Sequence, residues 1–182
     1  MIFQESKIAG AWIVDIERIR DQRGFFAMSW LPDELRRRGM NTDLAQCNLA
    51  FSDRRGTLRG MHFQKAPHAQ AKIIRVTRGA VFDVIVDLRE ASPTYRQWDA
   101  AELTADNHRM FYMPEGIAHG YLTLEDRTEA YYHVSSPWVP ASESGVRWDD
   151  PAFGIRWPFA PEVLSDKDRQ WPLVDGHRER PA

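Results

Sequence analysis

Cysteine is nearly absent from the sequence, since Cys47 is the only one among 182 residues. A single thiol cannot form an intrachain disulfide, and it provides no thiolate cluster for a metal. An excess of one charge is also missing: 24 Lys and Arg stand against 26 Asp and Glu, for a formal net charge of −2. A general attraction to nucleic acid or to an anionic membrane is therefore excluded, whereas a local cationic pocket for a small anion is compatible with this balance.

Long hydrophobic runs are missing as well. The most apolar region, "AVFDVIVDL" at 80–88, is interrupted by aspartates and is too short to span a bilayer. The N-terminus, "MIFQESKIAG", has no basic segment followed by an apolar run, so it does not resemble a secretory signal. We therefore expect a cytoplasmic, soluble protein. The length and the apolar fraction of 43% predict one domain over 1–182 with a substantial core.

Short extended segments, rich in aromatic and β-branched residues and separated by turns, make up most of the chain. The predicted strands are 11–19, 25–30, 44–52, 58–64, 71–90 (two strands hinged at Arg78-Gly79), 95–103, 109–114, 119–124 and 129–136. Helical signals are confined to 32–40, which begins with a proline, and to a turn near 165–170. Many short strands with little helix favour a β-sandwich or a barrel.

Two of these strands carry polar side chains among apolar ones. In 80–88, Asp83 and Asp87 fall on the same face of the alternation, so one face of this strand bears two carboxylates. In the strand "LRGMHFQ" (58–64), His62 and its alternating neighbours Gly60 and Gln64 share the face opposite to that of Met61. On an outer surface such a pattern is ordinary, but in the mouth of a barrel it predicts a reaction site.

The histidines do not form a known zinc motif, although five of them lie between positions 62 and 133. "PEGIAH", which ends at His119, has the P-x-G-x-x-H spacing of half a cupin metal site. The other half requires H-x-H, and Gln64 stands two positions after His62. We expect no metal, with a site built from His62, His119 and a third ligand as the alternative. Structural roles are expected for His68, His108 and His177.

The chain resembles the dTDP-4-dehydrorhamnose 3,5-epimerase family over nearly its full length. The matching segments are "RGFF" (23–26), "LRGMHFQ" (58–64), "RGAVFDVIVDLR" (78–89), "SPTY" (92–95), "PEGIAHGYLTL" (114–124), "GVRWDDPAFGIRWP" (145–158) and "LSDKD" (164–168). The resemblance implies a mostly β double-stranded β-helix, a cupin-like jelly roll with short peripheral helices, assembled as a homodimer. It also implies an enzyme that inverts centres beside the ketone of a nucleotide-linked 4-keto-6-deoxy sugar, with no metal or other cofactor.

The resemblance assigns the catalytic roles to three residues. His62 matches the general base, and Asp168 matches the carboxylate that orients its ring and stabilises the imidazolium. Tyr132 matches the proton donor on the opposite face of the sugar. Only one of Tyr131 and Tyr132 can face the pocket, because adjacent strand residues point to opposite sides.

Further positions match residues that bind the nucleotide-sugar, where cations suit a diphosphate. The expected binding residues are Arg23, Gln46, Asn48, Arg59, Lys72, His119, Trp138, Glu143 and Lys167. Lys72 is also expected to face the enolate oxygen, and Asp83 matches a pocket carboxylate that holds a histidine. Met28, where the family often has a glutamate, and His133, where a lysine is frequent, depart from the pattern.

These departures leave the nucleotide and the number of inverted centres open. The first interpretation is conversion of dTDP-4-dehydro-6-deoxy-D-glucose to dTDP-4-dehydro-L-rhamnose by inversion at C3 and C5. The alternatives are an epimerase of one centre acting on a dTDP-, CDP- or GDP-linked sugar, a metal-dependent cupin, and a non-catalytic sugar-nucleotide-binding jelly roll.

Overall fold

Two antiparallel sheets packed face to face form the framework of the molecule. The computed structural model describes residues 1–175. The strands are β1 (Ile2–Glu5), β2 (Trp12–Asp15), β3 (Ile19–Asp21), β4 (Gly24–Phe26), β5 (Gln46–Ser52), β6 (Leu58–Gln64), β7 (Lys72–Arg78), β8 (Ala80–Asp87), β9 (Trp98–Thr104), β10 (Met110–Met113), β11 (Ile117–Thr123), β12 (Thr128–Val134) and β13 (Glu143–Gly145). The helices are α1 (Pro32–Arg36), α2 (Asp166–Gln170) and a 3₁₀ turn at Pro140–Ser142.

The strand order identifies the jelly roll. One sheet runs β1-β2-β10-β7-β12-β5 and the other β13-β6-β11-β8-β9, so consecutive strands alternate between the two sheets from β5 to β8 and again from β9 to β13. The predicted mostly β, cupin-like fold with short peripheral helices is therefore confirmed. No helix in the described part of the chain is long and apolar enough to cross a bilayer.

The apolar core lies between the sheets, built from the inward side of each alternating strand. Ile74, Ile85 and Phe111 are completely buried in it. The two carboxylates predicted to share a face of β8 are indeed both buried. Asp87 accepts hydrogen bonds from Arg89, Ser92 and Thr94, which compensate the cost of burying its charge.

The C-terminal part of the chain covers the outer side of the five-stranded sheet. Val146 and Phe153 pack there against Met61, whose side chain lies on the back of β6, in a cluster that also includes Val84. Because these C-terminal residues pack on the sheet, α2 lies next to β6. The long tail thus positions a short helix that would have no stable place by itself.

The N-terminal strand predictions were partly wrong. The segment 11–19 divides into β2 and the start of β3, and 25–30 contributes only the three residues of β4. β4 pairs with β3 alone, and β3 has three residues, so the ladder ends at Phe26. A strand needs a partner for its backbone groups, and propensity alone does not extend it.

Candidate active site

Two adjoining cavities, of about 300 and 650 Å³, open between the two sheets. Both are lined by His62 from one sheet and by Lys72 and Tyr132 from the other. Trp138 on the loop after β12 and Glu143 at the start of β13 complete the shared wall. The two cavities are therefore one cleft, with polar side chains from both sheets facing each other.

A β-bulge in β6 shapes the floor of the cleft. His62 pairs with His119 and Arg59 with Tyr121, so three residue steps on β6 match two on β11. Gly120 makes this crossing tight: a Cβ there would lie 2.7 Å from the Met61 sulfur and 2.8 Å from the Arg59 carbonyl oxygen. The extra residue turns both Arg59 and His62 toward the larger cavity.

His62 is held by a carboxylate from the distant helix α2. Its Nε2 lies 2.5 Å from Asp168 Oδ1, and Asp168 is 3% exposed. Burial opposes ionisation of this carboxyl, yet the hydrogen bonds from His62, the Gly60 N–H and Ser165 lower the pKa of Asp168 below its usual value. A charged Asp168 fixes the proton on Nε2, so Nδ1 of His62 is the nitrogen that accepts a proton.

Tyr132 faces His62 from the opposite sheet. Burial raises the pKa of its hydroxyl above the ordinary value, although Arg59 works in the other direction. The phenol is therefore protonated at neutral pH and available as a donor. Tyr131 lies on the other side of β12, where its ring contacts His133, so the alternation separates the two tyrosines.

A second His–Asp pair and one lysine lie near His62. His119 Nε2 is 2.9 Å from Asp83 Oδ2, and burial raises the pKa of this carboxyl despite the opposing effect of His119 and Lys72. Lys72 Nζ lies 3.5 Å from the His62 carbonyl oxygen. Burial lowers the pKa of Lys72 to about 8, while Asp83 and Glu143 work in the opposite direction. The lysine thus places a cation within the cleft.

The structure brings eleven of the twelve predicted site residues into this cleft. They are His62, Tyr132, Asp168, Gln46, Asn48, Arg59, Lys72, His119, Trp138, Glu143 and Lys167. Arg23 is not among them: it lies on the β3–β4 hairpin, where its exposed side chain pairs with Asp21. Their individual roles stay predictions.

The remaining histidines lie elsewhere. His108 contacts the Phe25 ring and Arg75 outside the cleft, and the carbonyl oxygen of His68 accepts a hydrogen bond from Gln64. His177 lies outside the described residues. Within 1–175, no group of three His, Cys, Asp or Glu side chains is arranged to hold a metal ion. Nε2 of both His62 and His119 faces a carboxylate instead.

Sequence reasoning missed several polar residues of the cleft, among them two glutamines and a tyrosine. Gln64 and Gln70 line the smaller cavity, and Tyr121 lines the larger one. Tyr121 stands two positions after His119 on the same strand, so simple alternation already places it on the face of that histidine. Gln64 stands two positions after His62 on β6, so alternation likewise places it on the face of that histidine. Gln70 lies in the loop before β7 and carries no such signal.

A histidine–aspartate pair and a protonated tyrosine that face each other across a jelly-roll cleft are typical of acid–base enzymes, which move protons on and off a substrate. The chain belongs to the dTDP-4-dehydrorhamnose 3,5-epimerase family, whose model matches residues 5–175. It is therefore a member of a family of isomerases.

Known relatives match over nearly the whole chain. A dTDP-4-dehydrorhamnose 3,5-epimerase of Sinorhizobium fredii is 42% identical over 96% of this chain and 90% of its own length. The crystal structure of the Bacillus anthracis enzyme of that name, with TDP and pyrophosphate bound, is 42% identical at a TM-score of 0.87, covering 93% of this chain and all of that one. A 3′-monoepimerase of Streptomyces bikiniensis in complex with dTDP-quinovose is 35% identical at a TM-score of 0.85, covering 93% and 86%.

Proposed function

We propose that this protein converts dTDP-4-dehydro-6-deoxy-D-glucose to dTDP-4-dehydro-L-rhamnose by inverting C3 and C5 without a cofactor. The observation that carries the proposal is the placement of the His62–Asp168 pair and Tyr132 on opposite sheets of one cleft. Inversion requires removal of a proton from one face of the sugar and return of a proton to the other. A base and an acid on opposite walls meet that demand.

The geometry supports the following sequence of proton transfers. Nδ1 of His62 takes the proton from the carbon beside the ketone, and the C–H electron pair forms an enolate with the C4 oxygen. The Lys72 ammonium stabilises that oxyanion. Tyr132 then gives its proton to the opposite face of the carbon, which restores the ketone with inverted configuration. Water returns a proton to Tyr132 and removes one from His62, and the cycle repeats at the second carbon.

Deuterium incorporation tests this proposal. The protein is incubated with dTDP-4-dehydro-6-deoxy-glucose in heavy water, and C3 and C5 are followed by NMR. Label at both carbons, with a rhamnose-configured product, is the expected result. His62→Asn should abolish incorporation while it leaves binding of dTDP nearly unchanged. Absence of label with wild-type protein would overturn the proposal and call for analysis of bound metal.

An epimerase of a single centre is the second candidate. The similarity to the Streptomyces bikiniensis 3′-monoepimerase supports it, since the same fold at 35% identity accompanies that activity. One acid–base pair serves either reaction, and the outcome depends on how the sugar ring turns in the cleft. Label at only one carbon in the same experiment would select this candidate.

We further infer that the protein is a homodimer in the cytoplasm. Arg23 is expected to contact the nucleotide but lies outside the cleft of its own chain, on a hairpin whose Phe26 is 65% exposed. Leu49 on edge strand β5 is 62% exposed, so the neighbouring sheet also presents apolar surface. A second copy that covers these surfaces could receive Arg23 in its cleft. The single, unpaired Cys47 suits a reducing compartment.

A further inference from the structure

The segment that follows β12 has no regular secondary structure, yet its backbone is held by buried side chains. We define residues 135–139 as the Trp138 loop. Gln64, at the end of β6, donates from Nε2 to the Pro137 carbonyl oxygen at 3.1 Å and accepts from the Val139 N–H at 2.7 Å. The same amide nitrogen donates to the His68 carbonyl oxygen at 2.7 Å. One side chain thus fixes the loop on both sides of Trp138.

Two more glutamines bind backbone groups of the Trp138 loop, at Ser136 and at Trp138 itself. Gln70 Nε2 donates to the Ser136 carbonyl oxygen at 2.6 Å, and Gln46 Oε1 accepts from the Trp138 N–H at 3.2 Å. The Ser135 N–H donates to the Ala71 carbonyl oxygen at 3.0 Å. Backbone groups that a loop would otherwise leave to water are therefore bound to the protein along the whole segment.

The glutamines that bind the loop differ in burial from the tryptophan that the loop carries. Gln64 is 4% exposed and Gln70 is 9% exposed, whereas Trp138 is 54% exposed and lines both cavities of the cleft. A buried amide is costly unless its donors and acceptors are bonded, so the glutamines favour a single loop conformation. A large aromatic surface is consequently held open toward the cleft.

We propose that Gln64 is a positioning residue for substrate binding that acts through Trp138. It fixes the indole as a preformed wall of the cleft, against which the nucleotide-sugar packs, and this role rests on the proposed function. Gln64 also lies two residues after His62 on the same strand, so one element sets both the wall and the base. Preformed contacts avoid the entropy cost of ordering a loop when the ligand binds.

The test compares Gln64→Met with a matched control. Asn107 in the β9–β10 turn is also a side-chain amide with three backbone hydrogen bonds, to Thr104, Glu102 and Arg109, but it lies away from the cleft. Both Gln64→Met and Asn107→Leu should lower stability. Only Gln64→Met should raise KM, by about tenfold, with kcat much less affected, because a loosened aromatic wall weakens ligand stacking.

A double-mutant cycle tests whether the effect passes through Trp138. Trp138→Ala should raise KM by about the same factor, and adding Gln64→Met to it should change KM little further. Additive effects would show that Gln64 acts independently of the indole. An unchanged KM in Gln64→Met would overturn the proposal outright.

The conformation of the loop is measured separately from turnover. In protein labelled with 5-fluorotryptophan, the Trp138 resonance, assigned by its loss in Trp138→Phe, should be a single sharp line that broadens or splits in Gln64→Met and stays sharp in Asn107→Leu. Sharp lines in all variants would contradict positioning by Gln64. This measurement needs no substrate, so it still decides the role of Gln64 in the loop if the proposed epimerase reaction fails.

Discussion

The proposed role of His62 as a base requires that its ring keep one tautomer, and the buried Asp168 carboxylate lies beside Nε2, where it can impose that constraint. The Trp171 ring, whose centroid lies 6.0 Å from that of His62, restricts movement of the imidazole from another side. Ser165 caps α2 by accepting from the Asp168 N–H at 3.1 Å, so the carboxylate itself has a fixed backbone. Each residue of the pair is held by contacts of its own.

Replacing Asp168 by Asn should therefore impair catalysis with little change of shape. The amide removes the charge that stabilises the imidazolium and no longer imposes the tautomer, so kcat should fall by about 10²- to 10⁴-fold. Steady-state kinetics measure the loss. Asp166→Asn, an exposed residue in the first turn of the same helix, is the control and should keep normal activity. Equal kinetics for the two variants would contradict the role of Asp168.

The lysine of the cleft predicts the alkaline limb of the pH profile. Burial lowers the pKa of Lys72 to about 8, so its ammonium is present below that pH and is lost above it. If the ammonium stabilises the enolate, kcat/KM should decrease as the pH rises through about 8. Burial raises the pKa of Tyr132, so the loss of its proton belongs to a higher pH.

Measured between pH 6 and 10, the profile of Lys72→Arg provides the check. A guanidinium stays charged over about this whole range, so the decline near pH 8 should move upward even if the overall rate is lower. A decline that stays in place in Lys72→Arg would assign it to another group.

At the scale of the element, strand β6 shows how far sequence reasoning extends. Its predicted bounds, 58–64, coincide with the observed strand, because the turn signals on both sides are strong. Strict alternation, however, places Arg59 on the face of Met61, away from His62. The bulge, where Gly60 and Gly120 approach closely, changes this alternation so that Arg59 and His62 face the same cavity. The bulge itself depends on close contact with β11. The contact is not visible in the sequence of β6.

Helix α2 shows what sequence reasoning could not predict. Its helical signal was correctly placed near 165–170, but nothing in that signal indicates a partner 106 residues earlier in the chain. Asp168 by itself resembles a surface charge, and only the family resemblance connected it with His62. Local patterns predict elements, whereas a site assembled from a distant tail depends on how the tail packs on the sheet.

The tight strand crossing gives an element-scale prediction. In Gly120→Ala the new Cβ would meet the Met61 sulfur and the Arg59 carbonyl oxygen, so β6 must shift and displace His62. We expect destabilisation of about 1–3 kcal/mol from overpacking, together with a loss of kcat in the folded protein. Urea unfolding and kinetics measure the two effects.

Ala118→Val is the matched control for that substitution. Ala118 is completely buried on the same strand, but it faces the cluster behind the cleft that includes Val146 and Phe153. Overpacking there should cost similar stability while the folded enzyme keeps its kcat. A normal kcat in Gly120→Ala would show that the crossing does not set the position of His62.

At the scale of the whole molecule, charge is distributed unevenly. The net charge is only −2, yet Arg59, Lys72 and Lys167 all line one cleft. Lys167 also pairs with Glu143 at 2.8 Å, which holds its ammonium at the rim. A local cationic site is suited to a diphosphate without a general affinity for polyanions. Arg23 is the further cation that the family resemblance predicts for this set, and the structure places it outside the cleft of its own chain.

Complementation between two inactive variants decides where Arg23 acts. If the hairpin enters the cleft of a partner, a dimer of one Arg23→Ala subunit and one His62→Asn subunit has one complete site, with His62 from the first and Arg23 from the second. Coexpression should then yield mixed dimers, purified through two different tags, with about half the wild-type activity per dimer. If Arg23 serves its own chain, every site in that mixed dimer carries one defect, and the activity should stay at the level of the separate variants. Molar mass from light scattering is the necessary companion measurement, since a monomer would rule out any exchange of the hairpin.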